Sequence, residues 1–258
     1  MAGGSLTVVG TGISLAHVTV ETQAELDRAG EVWFLVADPV TAAWLKDRRP
    51  DARSLHRFYR DGLHRRTIYG AMVAAILEPV RAGRDVCAAF YGHPAVFVSP
   101  SHEAVRRARE EGVPTRMLPA VSAEDCLFAD LGVDPGASGC QSYEATDFLL
   151  RRRSVDVRSA LILWQVGVVG RDDYSPVTDT SRIPVLAERL AELYGGDHEV
   201  VLYEASPYPA VDPIVERVPV SRLPAAAIGG VTTLYVPPVD GRALDPTMAE
   251  RLGVATAT

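Results

Sequence analysis

The stretch that constrains the fold most is an apolar run followed by a glycine-proline turn. Val86 to Phe90 has the unbroken apolar pattern of a strand that is buried on both faces, and Tyr91-Gly92-His93-Pro94 follows at once. Parallel α/β sheets bind small molecules outside the carboxyl ends of their strands, so this turn predicts a ligand site. Glycine lets a ligand approach the main chain, and proline fixes the turn. An ordinary strand-to-helix turn has the same residues, so the stretch alone does not decide between the two.

Short apolar runs alternate with amphipathic segments through the first half of the chain, which predicts a parallel α/β domain. Strands are predicted at 6–9, 31–36, 86–90 and 115–118, and helices at 19–29, 42–46, 69–81, 102–111 and 123–131. In the second half the predicted strands are 159–169, 200–204 and 229–238, with a helix at 183–194. The longer loops there predict a second α/β lobe with a mixed sheet.

These patterns divide the chain near Gly132 to Gly139, where a loop rich in glycine follows the helix at 123–131. We expect an N-terminal α/β lobe over residues 1–135 and a C-terminal α/β lobe over residues 136–240. Residues 241–258 are weakly patterned, and we expect them to form a loosely ordered tail.

Composition excludes several classes of protein. The 258 residues are 47% hydrophobic and 23% charged, with a formal net charge of -7, which favours a soluble globular protein over a nucleic-acid binder. Three cysteines without CxxC spacing predict neither disulfides nor a zinc site, and therefore a reducing compartment. Neither a signal peptide nor a membrane-spanning run is evident. We expect a cytoplasmic protein without a metal, nucleic-acid or membrane partner.

Two further segments bear on function. Gly10-Thr11-Gly12 follows the first strand like the start of a dinucleotide fingerprint, but Leu15 stands where a third glycine is needed, so no nicotinamide cofactor is inferred. The connection from Leu55 to Tyr69 is dense in aromatic and basic residues. Binding and catalytic residues are often found on such connections.

Taken in order, the motifs resemble the tetrapyrrole-methylase-like family of S-adenosylmethionine-dependent methyltransferases, and within it the borosin peptide backbone α-N-methyltransferases. The resemblance runs from Val8 to Pro238 and implies two α/β lobes with a cofactor cleft between them. The segments that carry it are Phe90-Tyr91-Gly92-His93-Pro94, 98–102, 116–119, 121–131, 143–149 and Trp164-Gln165-Val166-Gly167.

The resemblance implies a set of residues around S-adenosyl-L-methionine, whose product is S-adenosyl-L-homocysteine. Main-chain groups and hydroxyls would hold the amino-acid part and the ribose, while apolar walls would hold adenine. For Val96, Phe97 and Val231, plain core packing is the alternative. The implied cofactor contacts are Tyr91, His93, Val96, Phe97, Ser122, Ala123, Gln165, Tyr203, Gly230, Val231 and Thr232.

The resemblance also implies a catalytic set of Tyr59, Arg65 and Tyr69. A peptide nitrogen is a poor nucleophile because its lone pair is delocalised into the carbonyl group. A tyrosine can accept or relay the amide proton, and a guanidinium can stabilise charge on the carbonyl oxygen. We expect Tyr69 to be the base or relay, Arg65 the cation and Tyr59 a positioning partner. Arg66 replaces Arg65 if the alignment shifts by one residue, and a solvated surface loop is the structural alternative.

The resemblance departs from the fused borosin enzymes at the C-terminus. Those enzymes carry their substrate as an extension reached through a helical clasp, and residues 243–258 are too short for both. We therefore expect a split enzyme that acts on a separate precursor peptide, as a homodimer and in a heteromeric complex with that peptide. One rival is a methyltransferase of a corrin or porphyrin precursor, although the loop after the first strand lacks the proline of Gly-x-Gly-Pro-Gly. Another is a non-catalytic peptide-binding module, which predicts no S-adenosylmethionine binding.

Overall fold

A computed structural model of the protein describes residues 3–241 and 244–254. Its strands form two separate sheets. The strands are β1 Leu6–Gly10, β2 Glu31–Leu35, β3 Arg53–Ser54, β4 Val86–Phe90, β5 Thr115–Met117, β6 Cys140–Glu144, β7 Ala160–Trp164, β8 Glu199–Glu204, β9 Ile214–Pro219 and β10 Thr233–Val236. The helices are α1 Val20–Arg28, α2 Pro39–Arg48, α3 Arg65–Arg81, α4 Ser99–Glu110, α5 Ala123–Leu131, α6 Pro135–Ser138, α7 Ala145–Leu150, α8 Ile183–Tyr194 and α9 Pro246–Leu252.

The first sheet has the order β3-β2-β4-β1-β5, and every strand pair in it is parallel. Gly10, Leu35 and Phe90 are in register across β1, β2 and β4, so three strands end side by side at one edge. Side chains of α3 and α4 pack on one face, and those of α1 and α2 pack on the other. This first lobe confirms the predicted parallel α/β arrangement.

The second sheet has the order β6-β7-β10-β8-β9 and is mixed, as predicted: β6 and β7 are parallel, and the other pairs are antiparallel. Phe148 of α7 and Leu186 of α8 pack on one face. On the other face, Leu127 of α5 packs with Ile162 and Tyr203. Helix α5 therefore packs with the second lobe, although it lies before residue 135. The division of the chain at residue 135 stays a prediction.

Several predicted boundaries differ from the structure. Helix α3 begins at Arg65, one turn before the predicted start at Tyr69, because the Nδ1 atom of His64 accepts a hydrogen bond of 3.0 Å from the Arg66 amide. Strands β6 and β9 were not predicted, since β6 is only half-buried and β9 is exposed over most of its length. The predicted strand at 159–169 ends at Trp164 instead.

Part of the segment that was expected to form a loosely ordered tail is helical. Helix α9 occupies residues that were expected to be loosely ordered, because the Asp245 side chain accepts a hydrogen bond from the Met248 amide and Gly253 ends the helix with a φ of 66°. Residues 242–243 and 255–258 lie outside the described residues. None of the helices that the structure describes is long and apolar enough to cross a membrane.

Candidate active site

A cavity of about 330 Å³ opens at the carboxyl edge of the first sheet, where it meets the second lobe. The ends of β2 and β4 form its floor, and loops of both lobes form its walls. It brings together all three predicted catalytic residues and four of the predicted cofactor contacts. These are Tyr59, Arg65 and Tyr69, with Tyr91, Phe97, Gln165 and Val231.

Glycines allow the loops after β1 and β4 to meet at this edge. A Cβ atom at Gly10 would lie 2.3 Å from the carbonyl oxygen of Gly92, so no side chain fits there. Gly92 itself has a φ of 67°, which favours glycine. Its amide donates a hydrogen bond of 3.0 Å to the carbonyl oxygen of Gly12. The turn after Val86–Phe90 is therefore fixed by the neighbouring loop.

Helix α3 and the segment before it hold the predicted catalytic residues. Arg65 and Tyr69 are four residues apart on the helix and therefore lie on the same face. The guanidinium Nε of Arg65 donates a hydrogen bond of 3.2 Å to the main-chain carbonyl of Asp173 in the second lobe. Tyr59 follows a short 3₁₀ helix, and its ring centroid lies 4.5 Å from that of Tyr174. The segment that contains Asp173 and Tyr174 therefore supports both the arginine and the first tyrosine.

The three side chains also interact electrostatically. Burial, followed by the interaction with Tyr69, raises the pKa of Tyr59 well above its usual value, and Arg65 opposes this shift. Tyr59 is consequently a neutral phenol over the physiological range. It can donate a hydrogen bond in this cavity, but it is poorly suited to act as a base.

Two cavity residues have a strained backbone. Phe97 has a φ of 55° and Gln165 a φ of 60°, and within the described ranges only Arg152 is another non-glycine residue with positive φ. Such strain persists only where the surrounding structure imposes it, and it is common at ligand sites. Phe97 lies in the first lobe and Gln165 follows β7 in the second. The Phe97 ring contacts Trp164 with a centroid distance of 5.1 Å, which joins the two walls.

The other predicted cofactor contacts lie outside the lining of this cavity. They are His93, Val96, Ser122, Ala123, Tyr203, Gly230 and Thr232. The Nδ1 atom of His93 accepts a hydrogen bond of 3.0 Å from the Ala95 amide, which shapes the turn after β4. Ser122 caps α5 by accepting a hydrogen bond of 3.2 Å from the Asp125 amide. The structure thus gives both residues local structural contacts.

Tyr203 and Thr232 are also engaged in hydrogen bonds within the second lobe. The Tyr203 hydroxyl donates a hydrogen bond of 2.6 Å to Asp130, and its ring is fully buried. The Thr232 hydroxyl donates to Glu204 and accepts a hydrogen bond of 2.7 Å from the Gly229 amide. These bonds fix the segment that carries Val231 at the cavity rim. Any role for these residues in cofactor binding stays a prediction.

A second cavity of about 380 Å³ adjoins the first and shares Ala37, Tyr91 and Val231 with it. Asp38 and Glu204 contribute carboxylates to its lining. Burial raises the pKa of Tyr91 to about 12, and nearby Cys126 and Asp38 add to the shift. Sequence reasoning missed Asp38, although its position just after a predicted strand is the signal by which such residues can be found.

Sequence reasoning also missed His56, which lines the first cavity. Its Nε2 atom lies 2.6 Å from the main-chain carbonyl of Val36. The aromatic and basic character of the Leu55 to Tyr69 connection marked the segment but not this residue. Among the described residues, no group of three or more histidine, cysteine, aspartate or glutamate side chains is arranged to hold a metal ion.

The sequence matches the tetrapyrrole (corrin/porphyrin) methylase family over residues 5–215. The uroporphyrin-III-C-methyltransferase of Thermus thermophilus has the same fold, with a TM-score of 0.63 at 20% identity over 91% of this chain and 92% of the other. The chain therefore belongs to the tetrapyrrole methylase family.

Curated relatives confirm the narrower resemblance to borosin enzymes. A methyltransferase/ribosomally synthesized cyclic peptide omphalotin A precursor of Omphalotus olearius is 42% identical over 98% of this chain and 62% of its own length. A methyltransferase/ribosomally synthesized type I borosin cyclic peptide precursor of Coprinopsis marcescibilis is 41% identical over 91% of this chain and 62% of its own length. A methyltransferase/ribosomally synthesized cyclic peptide dendrothelin A precursor of Dendrothele bispora is 46% identical over 91% of this chain and 58% of its own length. The chain thus spans about three fifths of these relatives, and methyltransferase is the enzyme class in each name.

Proposed function

We propose that the protein transfers a methyl group from S-adenosylmethionine to backbone amide nitrogens of a separate, ribosomally made precursor peptide. One observation carries this proposal: Tyr59, Arg65 and Tyr69 line the same cavity as Tyr91 and Val231, two of the expected cofactor contacts. A guanidinium and two phenols beside a cofactor pocket are the groups that activation of an amide requires.

The residues around the two adjoining cavities fit S-adenosylmethionine. Leu35, Phe90 and Val231 offer apolar surface for adenine, and the carboxylates of Asp38 and Glu204 offer acceptors for hydroxyl and ammonium groups. The cofactor, when bound, supplies an electrophilic methyl group. Tyr91 lies at the junction of the two cavities and would contact it from the floor of the site.

Each catalytic side chain has a distinct role in this proposal. Arg65 stabilises the negative charge that develops on the acceptor's carbonyl oxygen as the amide nitrogen loses its proton. Tyr69 takes the amide proton at its oxygen as a phenolate and becomes a phenol, or it acts as a relay, in which its hydroxyl passes its own proton to a water molecule while it takes the amide proton. Tyr59, which stays protonated, donates a hydrogen bond that positions the acceptor, and its stacking with Tyr174 keeps it in place. Arg66 does not line this cavity, which favours Arg65 as the cation.

We also propose that the acceptor is supplied as a separate chain and that the enzyme works as a homodimer in complex with it. Trans-methylation tests the first statement directly: the protein and the peptide are made separately, mixed with S-adenosylmethionine and analysed by mass. Light scattering with and without peptide tests the second. A persistent monomer would contradict the dimer, and a peptide modified only when fused to the enzyme would contradict the split arrangement.

The decisive experiment combines the protein with the peptide encoded by the short open reading frame nearest its gene. After co-expression, tandem mass spectrometry should locate methyl groups on backbone nitrogens. Arg65→Ala and Tyr69→Phe should lose these groups while retaining cofactor binding by calorimetry. Retained turnover in both variants would contradict the catalytic assignment. An unmodified peptide beside intact cofactor binding would contradict the acceptor and favour a tetrapyrrole, for which spectral titration with corrin and porphyrin precursors is the test.

A further inference from the structure

A groove of about 450 Å³ lies between α3 and α4, on the other side of the proposed catalytic residues. We call it the α3–α4 groove. Arg65 and Tyr69 line both this groove and the cavity between the lobes, so the pair forms a shared wall. The groove is lined by Arg65, Arg66, Tyr69, Gly70, Val73, Ser99, Glu103 and Arg107.

The shared wall matters because methyl transfer needs an in-line arrangement of donor, methyl group and acceptor nitrogen. A cofactor in the cavity between the lobes occupies one side of Arg65 and Tyr69. The acceptor must then approach these residues from another direction. The α3–α4 groove reaches both side chains without passing through the cofactor cavity.

Gly70 forms part of the groove and is not required by the fold. It lies inside α3 with an ordinary helical backbone, and a Cβ atom built on it would meet nothing within 4 Å. Glycine inside a helix destabilises it relative to alanine. A side chain at this position would therefore be tolerated by the protein but would fill the groove. The absence of a side chain at Gly70 leaves space in the groove that a larger residue could fill without a clash.

The charges of the groove favour a ligand that offers oxygen atoms. Glu103 is already paired with Arg106 at 2.7 Å and Arg107 at 2.6 Å, and these hydrogen bonds lower its pKa to about 2. The Arg66 guanidinium, by contrast, is exposed and has no acceptor among residues 3–241 and 244–254. An unpaired cation in this groove suits a peptide segment, which offers carbonyl or carboxylate oxygens.

We propose that the acceptor peptide reaches Arg65 and Tyr69 along the α3–α4 groove, where Arg66 binds oxygen atoms of the segment flanking the methylated residue. This inference rests on the proposed function. It assigns Gly70 and Arg66 to peptide recognition, and it assigns neither of them to the chemical step.

The test compares four variants in steady-state methylation of the peptide from the nearest open reading frame. Gly70→Leu and Arg66→Gln should each raise the KM for the peptide about tenfold, while kcat changes less than about twofold. Cofactor affinity should be unchanged in both. Gly70→Ala should raise the thermal midpoint by about 2 °C, because the helix gains a better helix former. Arg106→Gln is the matched control, since Arg106 also pairs with Glu103 but does not line the groove, and it should keep the wild-type KM.

The outcomes separate this inference from the function on which it rests. Wild-type turnover with an unchanged KM in both Gly70→Leu and Arg66→Gln overturns the groove as the peptide path. A change of oligomeric mass in these variants, measured by light scattering, overturns it as well, because the groove would then be an interface between copies of this chain. A wild-type protein that methylates no peptide overturns the proposed function itself.

Discussion

The two lobes have related α/β architectures but contribute differently to the cavity between them. In the first lobe all strand pairs are parallel, so several strand ends meet at one edge, and α3 adds Arg65 and Tyr69 from the side. The mixed sheet of the second lobe contributes through loops, with the amide of Gln165, the side chain of Val231 and a main-chain carbonyl that binds Arg65. The comparison indicates that the first lobe carries the proposed reactive groups, while the second lobe supplies loops that shape the pocket.

The largest effect on methyl transfer should be seen when a proposed reactive residue of the first lobe is removed, and it is compared with removal of a pocket-shaping residue of the second lobe. Arg65→Ala should lower the rate of methyl transfer at least about 100-fold, because charge on the carbonyl oxygen loses its partner, and cofactor affinity should stay within about twofold. Gln165→Ala should show the reverse pattern, with affinity about fivefold weaker and the rate of the chemical step unchanged. Single-turnover kinetics and calorimetry measure the two quantities. If both variants lost rate and cofactor affinity to the same extent, the proposed division of roles between the two lobes would be wrong.

An effect on stability, rather than on the rate, tests to which lobe α5 belongs. Leu127 is fully buried against Ile162 and Tyr203 of the second sheet, so Leu127→Ala should lower the free energy of unfolding by about 3 kcal/mol. Leu150→Ala is the control, since that side chain is 81% exposed and its loss should cost less than about 0.5 kcal/mol. Urea denaturation gives both values. Similar values for the two variants would show that α5 does not depend on the second core.

The next effect concerns the loops of the second lobe. A Cβ atom at Gly167 would lie 2.1 Å from the carbonyl oxygen of Gly229, so Gly167→Ala should shift the segment that carries Val231. We expect a loss of about 2 kcal/mol in stability and weaker cofactor binding. Gly196→Ala is the matched control, because its nearest contact would be at 3.8 Å and its backbone is not left-handed. Thermal unfolding of the two variants with and without S-adenosylmethionine measures both effects. Unaltered cofactor binding in Gly167→Ala would contradict a role of the segment around Val231 in shaping the pocket.

The smallest effect is a dependence of stability on alkaline pH. Burial, and then the hydrogen bond with Asp130, raises the pKa of Tyr203 above that of an unfolded tyrosine, which is about 10. Its contribution to stability is therefore complete below pH 10 and decreases as the pH rises further. Tyr203→Phe should lose about 1 kcal/mol at pH 7 and should be less sensitive than the wild type between pH 9 and pH 11. Denaturation midpoints across this range test it, with Asp130→Asn expected to be intermediate. An identical slope in all three proteins would rule out this linkage.

Local patterns predicted local structure well. The Ser122 cap of α5, with Asp125 three residues on, follows from side-chain chemistry within one turn, and so does the left-handed end at Gly132. The buried strand Val86–Phe90 is equally clear because its apolar run is unbroken. The start of α3 was missed because histidine is an unusual cap and two arginines precede the apolar pattern. That one turn matters, since it places Arg65 on the helix beside Tyr69.

What the sequence alone could not predict depends on contacts between distant segments. Nothing local indicates that α5 packs on the second sheet or that Asp173 supports Arg65. Strand β9 lies at an exposed sheet edge, where burial leaves no apolar pattern in the sequence. The resemblance to known enzymes implied site residues in both lobes, and half of these residues line the cavity between the lobes in the structure.

The contact between Phe97 and Trp164 has an optical consequence. The indole of Trp164 is 8% exposed and donates a hydrogen bond of 2.6 Å to Ser142, while one face meets a ring that lines the cavity. Indole emission responds to the polarity and motion of its surroundings, so a molecule that settles against Phe97 should alter the fluorescence of this tryptophan. A Trp33→Phe/Trp44→Phe protein would isolate the signal and allow ligand occupancy to be followed in real time without a label. A flat titration in the presence of calorimetrically verified binding would show that the ring contact does not sense the ligand.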